Sequence, residues 1–319
     1  MFDVVRKHLA GLTRALQIAV LIALLIVPFL AGSYIAYVVA LMLVNALAIM
    51  GVTFLLKYGG EVSIGHNVFM AVGAYGTAIL SLRWGVPFPL NIVISVAASV
   101  VLGLVVAFPS RALSGIYLSV ATLAMALTVP DMALSLNAVS GGFQAIYLPV
   151  PQVPGLSKVT VQYMLALIVF LLAVGAVSYF RKSRHAVALL MGRDHPSAAA
   201  TFGVSATWCR MSAFAISAGI TGLAGAIFAY VAQSVAPDSF TFWTAIYLLV
   251  GSVVGLQRTG MLATLFGAAF ITLLPQYFAG AGALPPILFG VAIYLVILVA
   301  TCGDSIWSGL RRMLPRATS

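Results

Sequence analysis

The sequence predicts an all-α, polytopic integral membrane protein with about ten transmembrane helices. Composition is the first observation. Of 319 residues, 63% are hydrophobic and 7% charged, against roughly 45–50% and about 25% in soluble domains. Mean hydropathy is +1.14. Six carboxylates and sixteen Lys/Arg cannot coat a soluble globule of this length, which excludes a soluble enzyme, a disordered chain and a nucleic-acid binder. The second observation is a series of apolar runs of membrane-crossing length, and the third is how the basic residues fall between them. The whole chain, 1–319, reads as one transmembrane domain.

A helix crosses the hydrocarbon with about 20 apolar residues. Ten stretches approach that length: approximately 15–31, 34–56, 63–82, 88–109, 112–136, 160–180, 210–231, 240–257, 260–279 and 284–302. Arg6, Lys7 and Arg14 before the first run also suit a signal peptide. That run is long for a signal core, and Phe29-Leu30-Ala31 is a poor cleavage site, so an uncleaved helix is expected. In the third span His66 shares a face with Phe69 and Gly73; it reads either as a capping or loop-bonding histidine or as a proton relay. In the fifth, Asp131 follows Pro130. It is either a carboxylate held in the hydrocarbon for a purpose or a group close enough to the outer loop to reach water.

Segment 137–160 carries Gly141, Gly142, Pro149, Pro151, Pro154 and Gly155 and predicts an irregular or partly re-entrant outer loop. Segment 181–210 predicts a short helix over Ala186–Met191, a turn over Gly192–Pro196 and a second short helix from Ser197 to Phe202. Asp194 or Ser197 would cap the second helix and Gly203 would stand just past its end. The apolar side chains of these helices are expected to need a partner or the lipid surface. The seventh span places Ala213, Ser217, Thr221, Gly225 and Ala229 four residues apart, and Gly251 and Gly255 form a GxxxG in the eighth. Both patterns read as close helix packing rather than a substrate path. The last three spans are short or broken by Gly and Pro, so their ends are soft.

Ten spans with the amino terminus inside put Arg6, Lys7, Arg14, Lys57, Arg111, Arg181, Lys182, Arg184, Arg193, Arg210, Arg258, Arg311, Arg312 and Arg316 on the inner side, and only Arg83 and Lys158 on the outer. This asymmetry predicts that both termini are cytoplasmic, and it makes the net charge of +10 a topological signal rather than the footprint of an anionic ligand. Cys209 and Cys302 stand far apart, and His8, His66, His185 and His195 do not cluster, so neither a disulfide framework nor a metal site is expected. None of Lys7, Lys57, Lys158 or Lys182 follows a glycine, as a phosphate-binding P-loop requires. Active transport would therefore draw its energy from another polypeptide.

Several motifs carry a resemblance. Ser63-Ile64-Gly65-His66, running on to Phe69 and Gly73-Ala74-Tyr75, resembles the "LSLGHGAFFALGAY" segment of branched-chain amino acid permeases. Leu113 to Leu118 with Ala121 to Ala124 is similar to "LRGIYFAIVTLAF" of the M-type subunit, and Ser140-Gly141-Gly142 to its outer "TGG". Ala198-Ala199 with Gly203-Val204, and Pro237 to Phe242, resemble "AAEALGI" and "SPDSFTF". The likeness covers about 40–280. It implies the permease architecture of a type II ATP-binding-cassette importer in the bacterial inner membrane. It also implies a related H-type permease as heterodimer partner, two cytoplasmic ATPases that bind the ATP, and a periplasmic substrate-binding protein.

Gly192, Arg193, Asp194, Ala198, Ala199, Ala200 and Gly203 would then be the coupling segment that docks on an ATPase, with an interfacial helix on lipid as the alternative. Gly65, His66, Gly73, Tyr75, Asp131, Gly141 and Gly142 become candidates for the translocation path. The chain departs from the family at Leu127, where an acid is frequent, at Gln276 in Leu273-Leu274-Pro275-Gln276, and at Gly141-Gly142-Phe143-Gln144. These departures leave urea, short amides or small carboxylates beside hydrophobic amino acids as substrates. An autonomous carrier using Asp131 is the reading from a different class.

Overall fold

The computed structural model describes residues 2–30, 32–109, 115–137, 141–142, 144–151 and 153–277, with 287–288, 290–291 and 294; for 2–10 and 12–14 only the backbone is described. The tenth predicted span, 284–302, falls mainly outside these residues, as do Leu113, Ser114, Ser140 and the basic carboxy terminus.

Nine of the ten predicted spans are helices: α1 Phe2–Leu30, α2 Ser33–Phe54, α3 His66–Leu82, α4 Leu90–Ala107, α5 Ile116–Ser135, α6 Lys158–Phe180, α9 Ala206–Ala232, α10 Phe242–Val254 and α11 Met261–Tyr277. Between α6 and α9 lie α7 Arg184–Asp194 and α8 Pro196–Thr201. A π-helical turn, Leu55–Gly59, extends α2. The helical state follows from the solvent, since in lipid every backbone N–H and C=O must be satisfied within its own segment. Among the described residues five helices are long and apolar enough to cross a membrane: Ser33–Gly59, α4, α5, α6 and α9. Ala15–Leu30 and α11 are shorter apolar stretches, and α3 and α10 have 17 and 13 residues.

Helices α2 and α9 form the centre, with 78% and 72% of their apolar windows buried, against 28–39% for α4, α5 and α6. Helix α9 packs on α4, α3 and α2, and α2 also on α6 and α11. Small residues allow these approaches. A Cβ on Gly225 would collide with the Met70 carbonyl, one on Gly73 with that of Gly222, and one on Gly51 with Thr221 Oγ1. Across α10 and α11, Gly267 meets the Gly251 carbonyl, and a Cβ on Gly255 would fall 2.7 Å from Ala263 O. Interhelical polar bonds supplement the packing: Asn91 Nδ2 to Tyr230 Oη at 2.6 Å, Gln162 Nε2 to Val231 O at 2.9 Å, Tyr163 Oη to Leu24 O at 2.6 Å, and Thr53 Oγ1 with Ser252 Oγ at 2.8 Å.

Two local expectations change. Among its described residues, segment 137–160 contains the strand β1 Ile146–Tyr147, paired antiparallel with β2 Ser234–Val235. The inner turn is also shorter than predicted, because α7 runs through Gly192, Arg193 and Asp194 and leaves only His195 between the two helices. Ser183 caps α7, its Oγ accepting from Ala186 N at 3.2 Å. The cap position of α8 is His195 rather than Asp194 or Ser197, and no side chain bonds there. With φ already fixed near its helical value, Pro196 starts the helix directly.

Candidate functional site: the α7–α8 segment and the carboxy-terminal end of α2

Residues 184–203 form a compact unit seated on the rest of the chain. Gly203, at φ +76°, closes α8: its N–H donates to Ala200 O and that of Val204 to Ala199 O, both at 3.0 Å. This is the Schellman arrangement, and its left-handed residue favours glycine. Ala199 is buried, whereas Ala198, Ala200 and Gly203 are exposed.

The expectation that these helices lack a partner in their own chain is corrected. Ala186, Leu189 and Gly192 are buried, because α7 packs on α9 and on the π turn. A Cβ on Gly192 would lie 2.6 Å from Cys209 Sγ. What stays open is Val187 and Phe202, 57% and 76% exposed.

Arg193 reaches past this contact. Its Nη1 donates to the Lys57 carbonyl and its Nε pairs with Asp194 Oδ1 at 2.6 Å. The Arg193 hydrogen bond holds the Asp194 carboxyl below its ordinary range. Gly60, left-handed at φ +69°, lets the arginine stem lie close, since a Cβ there would sit 2.6 Å from Arg193 Cγ. Beside it Glu61 Oε1 lies 3.5 Å from Arg210 Nε, and the Glu61 side chain is only 6% exposed. Tyr58, Gly59, Gly60, Glu61, Gly192, Arg193, Pro196, Cys209 and Arg210 enclose a cavity of about 150 Å³. Glu61 escaped the sequence reading because it lies between spans, where a carboxylate looks solvated. Its only sequence signal is being the sole acid between Asp3 and Asp131.

The path candidates do not share one lumen. His66 is buried; its Nε2 pairs with Ser217 Oγ at 2.7 Å, and Ser217 donates onward to Gly51 O at 2.8 Å. This bond holds α3 to α9. Gly65 abuts α5, 2.8 Å separating its Cβ position from Thr122 O, and Gly73 belongs to the α3–α9 crossing. Tyr75 faces an apolar cleft of about 330 Å³ between α3 and α5, together with Val72, Met125 and Val129. Asp131 is exposed on α5. Gly141 and Gly142 take left-handed turns, at φ +78° and +61°. The packing candidates Ala213, Ser217, Thr221, Gly225 and Gly251 are all buried at helix crossings.

A family model described as branched-chain amino acid transport system / permease component matches residues 34–301. The chain belongs to this family. It is similar to the high-affinity branched-chain amino acid transport system permease protein LivM of Salmonella typhimurium, 26% identical over 298 aligned residues, covering 80% of this chain and 69% of the relative. It is also similar to the protein of that name from Escherichia coli, 25% identical over 265 residues, covering 74% and 62%. The chain thus spans about two thirds of the length of these curated relatives. No solved structure matches it. As a branched-chain amino acid transport permease it is a multi-pass membrane protein, and its apolar helices are the spans such a permease requires.

Proposed function

We propose that this permease is the translocation subunit of an ATP-driven importer for branched-chain or other small hydrophobic amino acids. In this reading it has no ATPase site of its own and no cofactor, ATP being bound by two separate cytoplasmic subunits. A related permease completes the pore as a heterodimer, and a periplasmic binding protein delivers the substrate. The protein lies in the bacterial inner membrane with both termini in the cytoplasm. The family match across 34–301 carries the reading, and the α7–α8 unit supports it. That unit offers Val187 and Phe202 outward on a base held to α2 and α9, which suits a lever that docks in a groove and moves as one piece. Of the seven coupling residues expected from the sequence, docking would fall to the exposed Arg193, Asp194, Ala198, Ala200 and Gly203, while the buried Gly192 and Ala199 seat the unit on its own chain.

Affinity purification of the tagged chain from its host in mild detergent, with every co-purifying protein identified, tests this. A second permease and cytoplasmic ATPases are the expected companions. Recovery of this chain alone, under conditions that preserve a control importer, would put an autonomous carrier in first place. Gly203→Glu is expected to abolish uptake while leaving membrane insertion intact, and normal uptake by that variant removes the docking role.

A further inference from the structure

The segment from the π turn to the start of α3 is held at both ends by different parts of the molecule. At its near end, Arg193 of α7 donates to the Lys57 carbonyl, and Arg210, from the second turn of α9, pairs with the buried Glu61. At its far end α5 takes hold: Ser119 Oγ donates to Val62 O at 2.8 Å, Thr122 Oγ1 accepts from Ile64 N at 3.1 Å, and Gly65 abuts the Thr122 carbonyl. Few residues separate the two grips, so little slack is available to absorb a displacement. The turn where the segment begins, Leu55–Gly59, is π-helical, a geometry frequent at functional sites.

From this arrangement we infer that residues 55–66 are the transmission element between the ATPase-docking helix and α5, with Glu61, Arg193 and Arg210 as its positioning residues. The inference rests on the importer reading and gives that reading a route. Movement of α7 drags the Lys57 carbonyl through Arg193. The Glu61–Arg210 pair pins the following loop to α9 as a pivot, so that displacement of the Lys57 end swings Val62 and Ile64, and with them the first turns of α5. Helix α9 is a poor alternative carrier, because its backbone contacts with α3 at Gly222 and Gly225 leave no room to slide. Helix α5 is the most exposed of the five long apolar helices. Glu61 suits the task because a carboxylate buried with one cationic partner tolerates little separation from it.

The test uses the complete importer, with its partner subunits and binding protein, in proteoliposomes, reading leucine uptake and ATP hydrolysis together. Glu61→Gln keeps the shape and removes the charge. It is expected to retain co-purifying ATPases and their hydrolysis while uptake per ATP falls about tenfold, within the range by which such links modulate coupling. Ser119→Ala, at the other grip, should show the same split at about threefold, and the exchange Glu61→Arg with Arg210→Glu should recover most of the loss. Uptake per ATP within about twofold of wild type in both Glu61→Gln and Ser119→Ala overturns the inference. A parallel loss of hydrolysis, which would place Glu61 in docking or folding instead, overturns it as well. If Glu61→Gln does not accumulate, Glu61→Asp is judged by the same ratio. A wild-type complex that shows no ATP-driven leucine uptake sinks the importer reading itself, an outcome separable from unchanged coupling in the variants.

Discussion

Gly73 and Gly225 carry backbone-to-backbone contacts between α3 and α9, where the opposing atoms are the carbonyls of Gly222 and Met70. A side chain there cannot be accommodated by a rotamer change, because the obstacle is main chain. Gly225→Val should therefore cost about 1–3 kcal/mol or more, read as a lower melting temperature in detergent. Gly175→Val on α6, where nothing lies within 4 Å of the added atom, is the control expected to melt near wild type. Ser217 makes the complementary case with a polar contact. Ser217→Ala would leave His66 Nε2 buried without its partner, while the Gly51 carbonyl keeps the Leu55 N–H, at about 1–3 kcal/mol, again measured by thermal melting.

For the α7–α8 unit, cap chemistry and electrostatics decide the behaviour. Gly203 meets nothing within 4 Å, so replacing it costs conformation rather than space. Gly203→Val should weaken the helix end by about 1–2 kcal/mol, while Gly203→Asn, which tolerates the left-handed region, should keep most of it. ATPase co-purification with the two variants distinguishes them. The Arg193–Asp194 bond adds a pH expectation. Asp194 is depressed by its hydrogen bond from Arg193, so its contribution is fully present above the unfolded carboxylate pKa and disappears only as pH falls through the lower folded value. Subunit association should accordingly be flat from about pH 8 to 5 as far as this pair is concerned. A fall over that interval that Asp194→Asn abolishes would show that the carboxyl titrates higher.

Over the whole molecule, α2 and α9 are largely buried, α4 and α6 pack on them and α5 packs on α3 and α10, and these outer helices present large apolar surfaces outward; Ile116, Tyr117, Val120 and Leu127 of α5 are all more than half exposed. In a membrane such faces meet lipid or another permease, so the chain needs a bilayer to be stable as described. The charge asymmetry sets the orientation to be tested. A cysteine placed at Lys158 should react with a membrane-impermeant maleimide in intact cells, and one at Arg181 only after permeabilisation. The reverse pattern would invert the proposed topology.

Apolar run lengths and basic-residue placement were enough to locate nine helices, eight of them to within a few residues and α1 with a start at Phe2 rather than near 15, because the bilayer imposes its requirement segment by segment and no tertiary partner is needed to satisfy it. The spacing-of-four stripe in α9 was legible for the same reason, being periodic within one element. The α7–α8 unit was legible through Pro196 and Gly203, residues whose backbone preferences act locally. What joins distant segments was not. The Glu61–Arg210 pair spans 149 residues and the Arg193–Lys57 bond 136, and neither has any signature in local spacing. The contact of Gly73 with Gly222 of α9 had no local sign either, and the apolar side chains of α7 looked unpartnered until the π turn and Cys209 were seen against them. Spans are determined by solvent, one helix at a time; grips between them are determined by which helices cross, and only the folded chain decides that.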